Sequence, residues 1–230
     1  MDGSGNVTST IIADTDTDIL FNYDGSVNIL FGYSTTVTTI NFMNETVLVY
    51  MDVSRLPNLT FFSSQTPSPL SILDLSHNPL LQNIQLNNTN LLTLDVSHNP
   101  LLETFVVGSS RLQAIDVSHN PLLTTVEISD AFLTTLDLTC NPALQKAYVV
   151  RNNLYTLYLP DTPADVDLEL EIGDNANLAN IYTMAMQNPT GATFTILSAY
   201  GDNNPQYTYH LKPGSEATFA GGTYSGGDVA

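Results

Sequence analysis

A seven-residue string recurs every 21 residues without a gap. Leu73-Asp74-Leu75-Ser76-His77-Asn78-Pro79 is followed by Leu94-Asp95-Val96-Ser97-His98-Asn99-Pro100 and by Ile115-Asp116-Val117-Ser118-His119-Asn120-Pro121. Leu136-Asp137-Leu138-Thr139-Cys140-Asn141-Pro142 comes next, and Leu157-Tyr158-Leu159-Pro160-Asp161-Thr162-Pro163 is a degenerate fifth copy. A fixed period of this length is the mark of a solenoid, in which each repeat makes one coil and buries its apolar side chains against the next.

Each period holds a second apolar-x-apolar segment: Ile84-Gln85-Leu86, Phe105-Val106-Val107, Val126-Glu127-Ile128, Ala147-Tyr148-Val149 and Leu168-Glu169-Leu170. Alternation of this kind is a strand signal. Two short strands per coil, with apolar side chains pointing inward between them, stack into two parallel sheets at about 4.8 Å per coil. The spacing between strands alternates between 11 and 10 residues, which leaves no room for a full helix. The expected fold is therefore an all-β-rich, weakly curved, right-handed coil. Worn copies start earlier, at Met51-Asp52-Val53-Ser54-Arg55-Leu56-Pro57, with strands over 59–64 and 37–42. Residues 1–36 read as an N-terminal β cap with a turn at Asp24-Gly25, residues 37–171 as the solenoid (regular over 70–163), and residues 172–230 as a β-rich C-terminal cap. The C-terminal cap has strands near 192–199, 206–211 and 217–224 and gathers Tyr200, Tyr207, Tyr209 and Tyr224.

Leu91-Leu92-Thr93-Leu94-Asp95-Val96-Ser97-His98-Asn99 fits the pattern LxxLxLxxN residue for residue. On this pattern the chain resembles leucine-rich-repeat proteins over about 51–170, in particular the 21-residue repeats of internalin-type and Bacteroidetes-type bacterial surface proteins. The resemblance implies protein recognition or adhesion with no cofactor. It speaks for the fold more than for the function, since sites are grafted on folds.

Residues 21 apart stack into columns. Asn78, Asn99, Asn120 and Asn141 form a ladder whose amides satisfy backbone groups at each turn. The Pro79, Pro100, Pro121 and Pro142 column ends a strand. The Asp74, Asp95, Asp116 and Asp137 column sets like charges about 4.8 Å apart, a repulsion of about 1 kcal/mol in water. Hydrogen bonds to the Ser76, Ser97, Ser118 and Thr139 column relieve this more simply than bound calcium would. His77, His98 and His119, continued by Cys140 and Asp161, are metal-ligand types, but a linear row does not converge on a tetrahedron, so no metal is expected.

The LDVS side is almost identical from coil to coil, whereas the other side varies. Gln85, Val106, Glu127, Tyr148 and Glu169 are expected in one outward column, and Asn83, Thr104, Thr125, Lys146 and Asp167 in the next. A face that meets a partner must diversify to match it. Tyr148 with Lys146 and Arg151 is the candidate hot spot, because aromatic and Arg side chains dominate interface energetics.

Charge narrows the partners. Five Lys and Arg stand against 23 Asp and Glu, a formal net charge of −18, and the cations form no run. Such a chain is repelled by phosphate backbones and by anionic membrane surfaces, so neither nucleic acid nor membrane is an expected partner. No apolar run approaches the roughly 18 residues of a membrane span, and the single Cys140 rules out an internal disulfide.

No enzyme is expected. The chain has no G-x-S-x-G, H-E-x-x-H or P-loop, and no G-x-G-x-x-G that opens a helix. Asp14-Thr15-Asp16-Thr17-Asp18 begins like a calcium loop but puts Ile19 where the turn glycine belongs. Glu127 and Glu169, two coils or roughly 10 Å apart, are the one carboxylate pair to consider for a carbohydrate-active β-solenoid enzyme, the third and least favoured reading. Four N-x-Thr sequons (Asn6, Asn44, Asn58, Asn87) follow from an Asn- and Thr-rich composition.

What remains is a non-catalytic recognition or structural module on an outer surface, binding a protein, a surface glycan or neighbouring subunits, without a cofactor. Residues 1–10 hold no secretory signal. A virion protein reaches the exterior by lysis and needs none, so a head-decoration or fibre component is the first expectation and a cell-surface adhesin the alternative.

Overall fold

The computed structural model describes the side chains of residues 33–42, 50–65, 67, 69–160, 168–178, 181 and 182, and beyond these the backbone of further strand residues. The expected turn at Asp24-Gly25, the Asp14 to Thr17 stretch, Asp161, Asp167, Tyr200 and Tyr207 lie outside the described residues.

The second segments of the coils form one unbroken eleven-stranded sheet. Its order is β2 (Asp18–Phe21), β4 (Thr39–Phe42), β6 (Phe61–Ser64), β8 (Asn83–Asn87), β9 (Thr104–Gly108), β10 (Thr125–Ser129), β12 (Lys146–Tyr148), β14 (Leu168–Glu171), β16 (Thr193–Leu197), β18 (Glu216–Phe219) and β19 (Gly222–Ser225). Every pairing is parallel except the last, where the stretch expected as one strand over 217–224 splits into the β18–β19 hairpin. The strands of both expected caps thus continue the same sheets.

The LDVS side departs from expectation. It is not one sheet but two four-stranded ones: β1 (Thr8–Ile11), β3 (Ser26–Phe31), β5 (Val47–Asp52) and β7 (Leu73–Asp74), then β11 (Thr135–Asp137), β13 (Thr156–Leu159), β15 (Asn180–Thr183) and β17 (Thr208–His210). Residues 94–96 and 115–117, between them, are not paired as strands. Over this stretch the asparagine ladder links the coils: Asn99, Asn120 and Asn141 donate from Nδ2 to the carbonyls of Leu75, Val96 and Val117, at 2.9–3.1 Å. Strand pairing resumes between β11 and β13, and the Leu138 amide donates to the Tyr158 carbonyl at 2.9 Å.

Between the two sides runs one core. Ile84, Leu86, Phe105, Val107, Val126, Ile128, Ala147 and Val149 from the sheet, with Leu75, Val96, Val117 and Leu138 from the LDVS side, are at most 1% exposed. Each such leucine or isoleucine stabilises the coil by about 2 kcal/mol. Leu73, Leu94 and Ile115, beside the break, are less completely covered.

Candidate functional site

The uniform side is occupied with itself. Asn78, Asn99, Asn120 and Asn141 are fully buried. Each donates twice to backbone carbonyls of the preceding coil, at 2.8–3.1 Å. The ladder satisfies acceptors only, because among the described residues the four Oδ1 atoms meet no donor. Oδ1 of Asp74, Asp95, Asp116 and Asp137 accepts the N–H of the residue two ahead at 2.9 Å, so the Asp column is turn chemistry. The hydroxyl and then the N–H of the following serine hold Asp52, Asp74, Asp95 and Asp116 below the usual carboxylate range. His77, His98 and His119 each set Nδ1 3.0–3.1 Å from the adjacent serine hydroxyl. Further along, the register replaces Asp137 by Tyr158 and Tyr182. Their rings stack at 5.0 Å and 16°.

The outward face of the eleven-stranded sheet brings most of the diversified residues together, with one correction. Asn83, Thr104, Thr125 and Lys146 are in register with one another, as are Gln85, Val106, Glu127 and Tyr148. Glu169, however, pairs with Lys146, and Glu171 takes its expected place beside Tyr148. This coil is 23 residues long, not 21, since Ala147 pairs with Leu170. The two extra residues shift the register by one full strand repeat, which keeps every side chain on its face and hides the change from the alternation pattern.

These side chains are held by one another. Lys146 Nζ lies 3.6 Å from Glu127 Oε1 and 4.0 Å from the centre of the Tyr148 ring. The Tyr148 hydroxyl donates to Glu169 Oε1 at 2.5 Å. That bond, with partial burial and the charges of Glu169, Glu171 and Glu127, pushes the phenol up to about 12. Gln65 Nε2 donates to Gln85 Oε1 at 2.7 Å. The row between Glu127 and Glu169 is thus filled by Lys146 and Tyr148, and both carboxylates are engaged with them. Gly108 also belongs to this face: a Cβ there would collide with Asn87 Oδ1.

Arg151 is not on the sheet face. It sits at the corner that leaves the sheet, where Nε and Nη2 hold both oxygens of Asp130 at 2.6 and 2.7 Å. Hydrogen bonding and charge lower the carboxyl of Asp130 and raise the guanidinium of Arg151.

This corner is a feature the sequence pattern does not announce. Asn88, Ser109, Asp130, Arg151 and Asp174 share one column, and all have φ between 47° and 58°. Non-glycine residues rarely adopt that region. The N–H groups of the first four bond to carbonyls of the next coil, Gly108, Ser129, Val150 and Gly173, at 2.9–3.2 Å. One signal was available. Leu144-x-x-Ala147-x-Val149-x-x-Asn152 repeats the apolar spacing of LxxLxLxxN half a coil later. Asn152 does form a second ladder step, donating to Ile128 and accepting from the Leu133 N–H, and Asn175 repeats it.

Shallow pockets of about 220 and 270 Å³ open on the LDVS side among the described residues, the second lined by Ile115, Asp116, Ser118, Asp137 and Cys140. Among the described residues no group of three or more His, Cys, Asp or Glu is placed to hold a metal ion. Among the same residues no helix is long and apolar enough to cross a membrane.

No family model matches the chain, and no curated protein does. Among solved structures it is similar to the functional domain of InlJ from Listeria monocytogenes, a domain described as including a cysteine ladder. The TM-score is 0.52 and the identity 22%, covering 74% of this chain and 45% of that one. The chain therefore spans less than half of that structure's length. Here the buried ladder is of asparagine, and Cys140 is exposed beside it. The likeness is one of fold: a leucine-rich-repeat-like coil with parallel sheets and, among the described residues, no helix.

Proposed function

We propose that the chain is a non-catalytic protein-recognition module displayed on an outer surface. The observation that carries this is the contrast between its two sides. Asp95, Ser97, His98 and Asn99 recur in kind on a side where turn and ladder bonds engage them. The opposite sheet changes from Asn83 and Gln85 to Lys146 and Tyr148 on the same rigid backbone. The likeness to an internalin supports a surface setting, and its partner class is protein before glycan. A virion decoration or fibre protein and a cell-surface adhesin both fit this reading.

The test is saturable binding of the labelled full chain to purified particles and to intact cells of its source, competed by unlabelled chain. Truncating Tyr148 and Glu127 together to Ala is expected to weaken that binding about tenfold. Asp95→Ala is expected to leave it unchanged. Turnover of a polysaccharide panel, or binding lost through Asp95 and not Tyr148, would contradict the proposal.

A further inference from the structure

On the reading that the chain recognises a protein, we infer that its left-handed corner docks a separate segment of the partner, at a site apart from the sheet face. The occupant is a peptide segment that sets a carboxylate beside a large apolar side chain.

The corner exposes apolar residues where its neighbours are polar. Phe132 is 51% exposed, in the column of Asn90, Arg111 and Asn153. Leu92 and Tyr155 are 46% and 53% exposed, in the column of Gln113 and Thr134. Backbone bonds fix the order of these coils: Gln113 to Leu92, Phe132 to Leu112, and Tyr155 to Thr134. With Arg111 and Gln113 on the turn between Leu92 and Phe132, these residues line four successive turns of one edge. Core formation does not account for them, since Leu91, Leu112, Leu133 and Leu154 beside them already fill the interior. Exposed apolar residues gathered along one edge are characteristic of an interaction site.

Charge selects the occupant. Arg151 is neutralised by Asp130 and Lys146 by Glu127. Arg111, one coil from Phe132 in the same column, makes no ion pair among the described residues. An uncompensated guanidinium beside exposed aromatic rings, in a chain of net charge −18, is complementary to a carboxylate at that point and nowhere else nearby. Phe, Tyr and Arg are also side-chain types enriched at interfaces. The inter-coil bonds of the left-handed column hold this edge in place, so little ordering cost opposes docking. On the sheet face, by contrast, Tyr148 must first give up Glu169 and Lys146.

The test is selection of a displayed random-peptide library on the immobilised full chain. The enriched peptides are expected to carry Asp or Glu next to Leu, Phe or Trp, against the overall charge. Their affinity is expected to fall about tenfold or more with Arg111→Ala or Phe132→Ala and to survive Tyr148→Ala. All three positions lie on the surface, and an unchanged melting transition verifies folding. Lys- and Arg-rich peptides indifferent to Arg111 would overturn the inference. Peptides that depend on Tyr148 instead would overturn the corner and leave protein recognition standing. No binder at all would overturn both. Phe132-dependent dimers in light scattering would replace the partner segment by a second copy.

Discussion

The side-chain amide of Asn120 donates to the backbone carbonyl of Asn99 at 2.9 Å, and equally to that of Val96. Both acceptors are buried and belong to the preceding coil. Each carbonyl keeps a backbone donor, the Asn99 N–H on Val96 and the Leu102 N–H on Asn99 at 3.1 Å, so Asn120→Ala removes one of two bonds at each, at a cost of about 1–3 kcal/mol. Urea denaturation is expected to show the lower midpoint. Ser97→Ala, on the exposed turn, is expected to cost under about 1 kcal/mol.

Acid weakens the LDVS side in a definite direction. Asp52, Asp74, Asp95 and Asp116 have folded values below their ordinary 3.8. The unfolded chain therefore takes up protons first as pH falls. The stability these groups contribute is full above the unfolded value and is lost as pH drops through 3.8 and on through the lower folded values. Denaturation midpoints from pH 7 to 2 are expected to fall more steeply for the wild type than for an Asp95→Asn, Asp116→Asn variant. Equal slopes would count against this account.

Tyr148 is expected to ionise late in an alkaline absorbance titration, near the value of about 12 set first by its bond to Glu169. Glu169→Gln removes that charge and is expected to bring the phenol back towards 10.0. A profile unchanged by this substitution would mean that the two side chains do not meet in solution.

Gly108→Ala places a methyl group against Asn87 Oδ1, the end of a side chain that is free to rotate. A loss of about 1 kcal/mol is expected, relieved when Asn87→Ala is added. Losses that simply add in the double variant would locate the strain elsewhere.

Ser109 has φ 47°. Ser109→Gly is expected to raise the melting temperature slightly, and Ser109→Val to lower it through a penalty of about 1–2 kcal/mol. The same order is expected at Arg151 only if its pair with Asp130 contributes little, as exposed ion pairs commonly do.

Period and alternation were enough to place the coils, the buried Asn78 to Asn141 ladder and the strands from β8 to β14. Those features repeat, and inward and outward positions follow directly from an alternating apolar pattern. The position of Glu169 was misread because its coil gains two residues, an even number that leaves alternation intact. The gap between β7 and β11 was not legible, because the string that pairs at Leu73-Asp74 recurs almost unchanged at Leu94-Asp95 and Ile115-Asp116, where it does not. The left-handed corner was hidden because no glycine marks it: Asn88, Ser109, Asp130, Arg151 and Asp174 look like ordinary loop residues. Attention to outward strand positions also passed over Phe132 and Arg111, which lie beyond the strand ends.

The unbroken sheet and the interrupted side behind it make the coil a mechanical flexure. One skin is laced by backbone bonds at a fixed pitch, while the other, from Asp74 to Thr135, is tied across coils by asparagine amides and by backbone bonds at its edge, such as Arg111 to Leu91. The neutral plane of bending therefore lies close to the sheet. A load along the axis is taken up as slight opening of the Asp side, while the spacing between Gln85, Val106, Glu127 and Tyr148 is preserved.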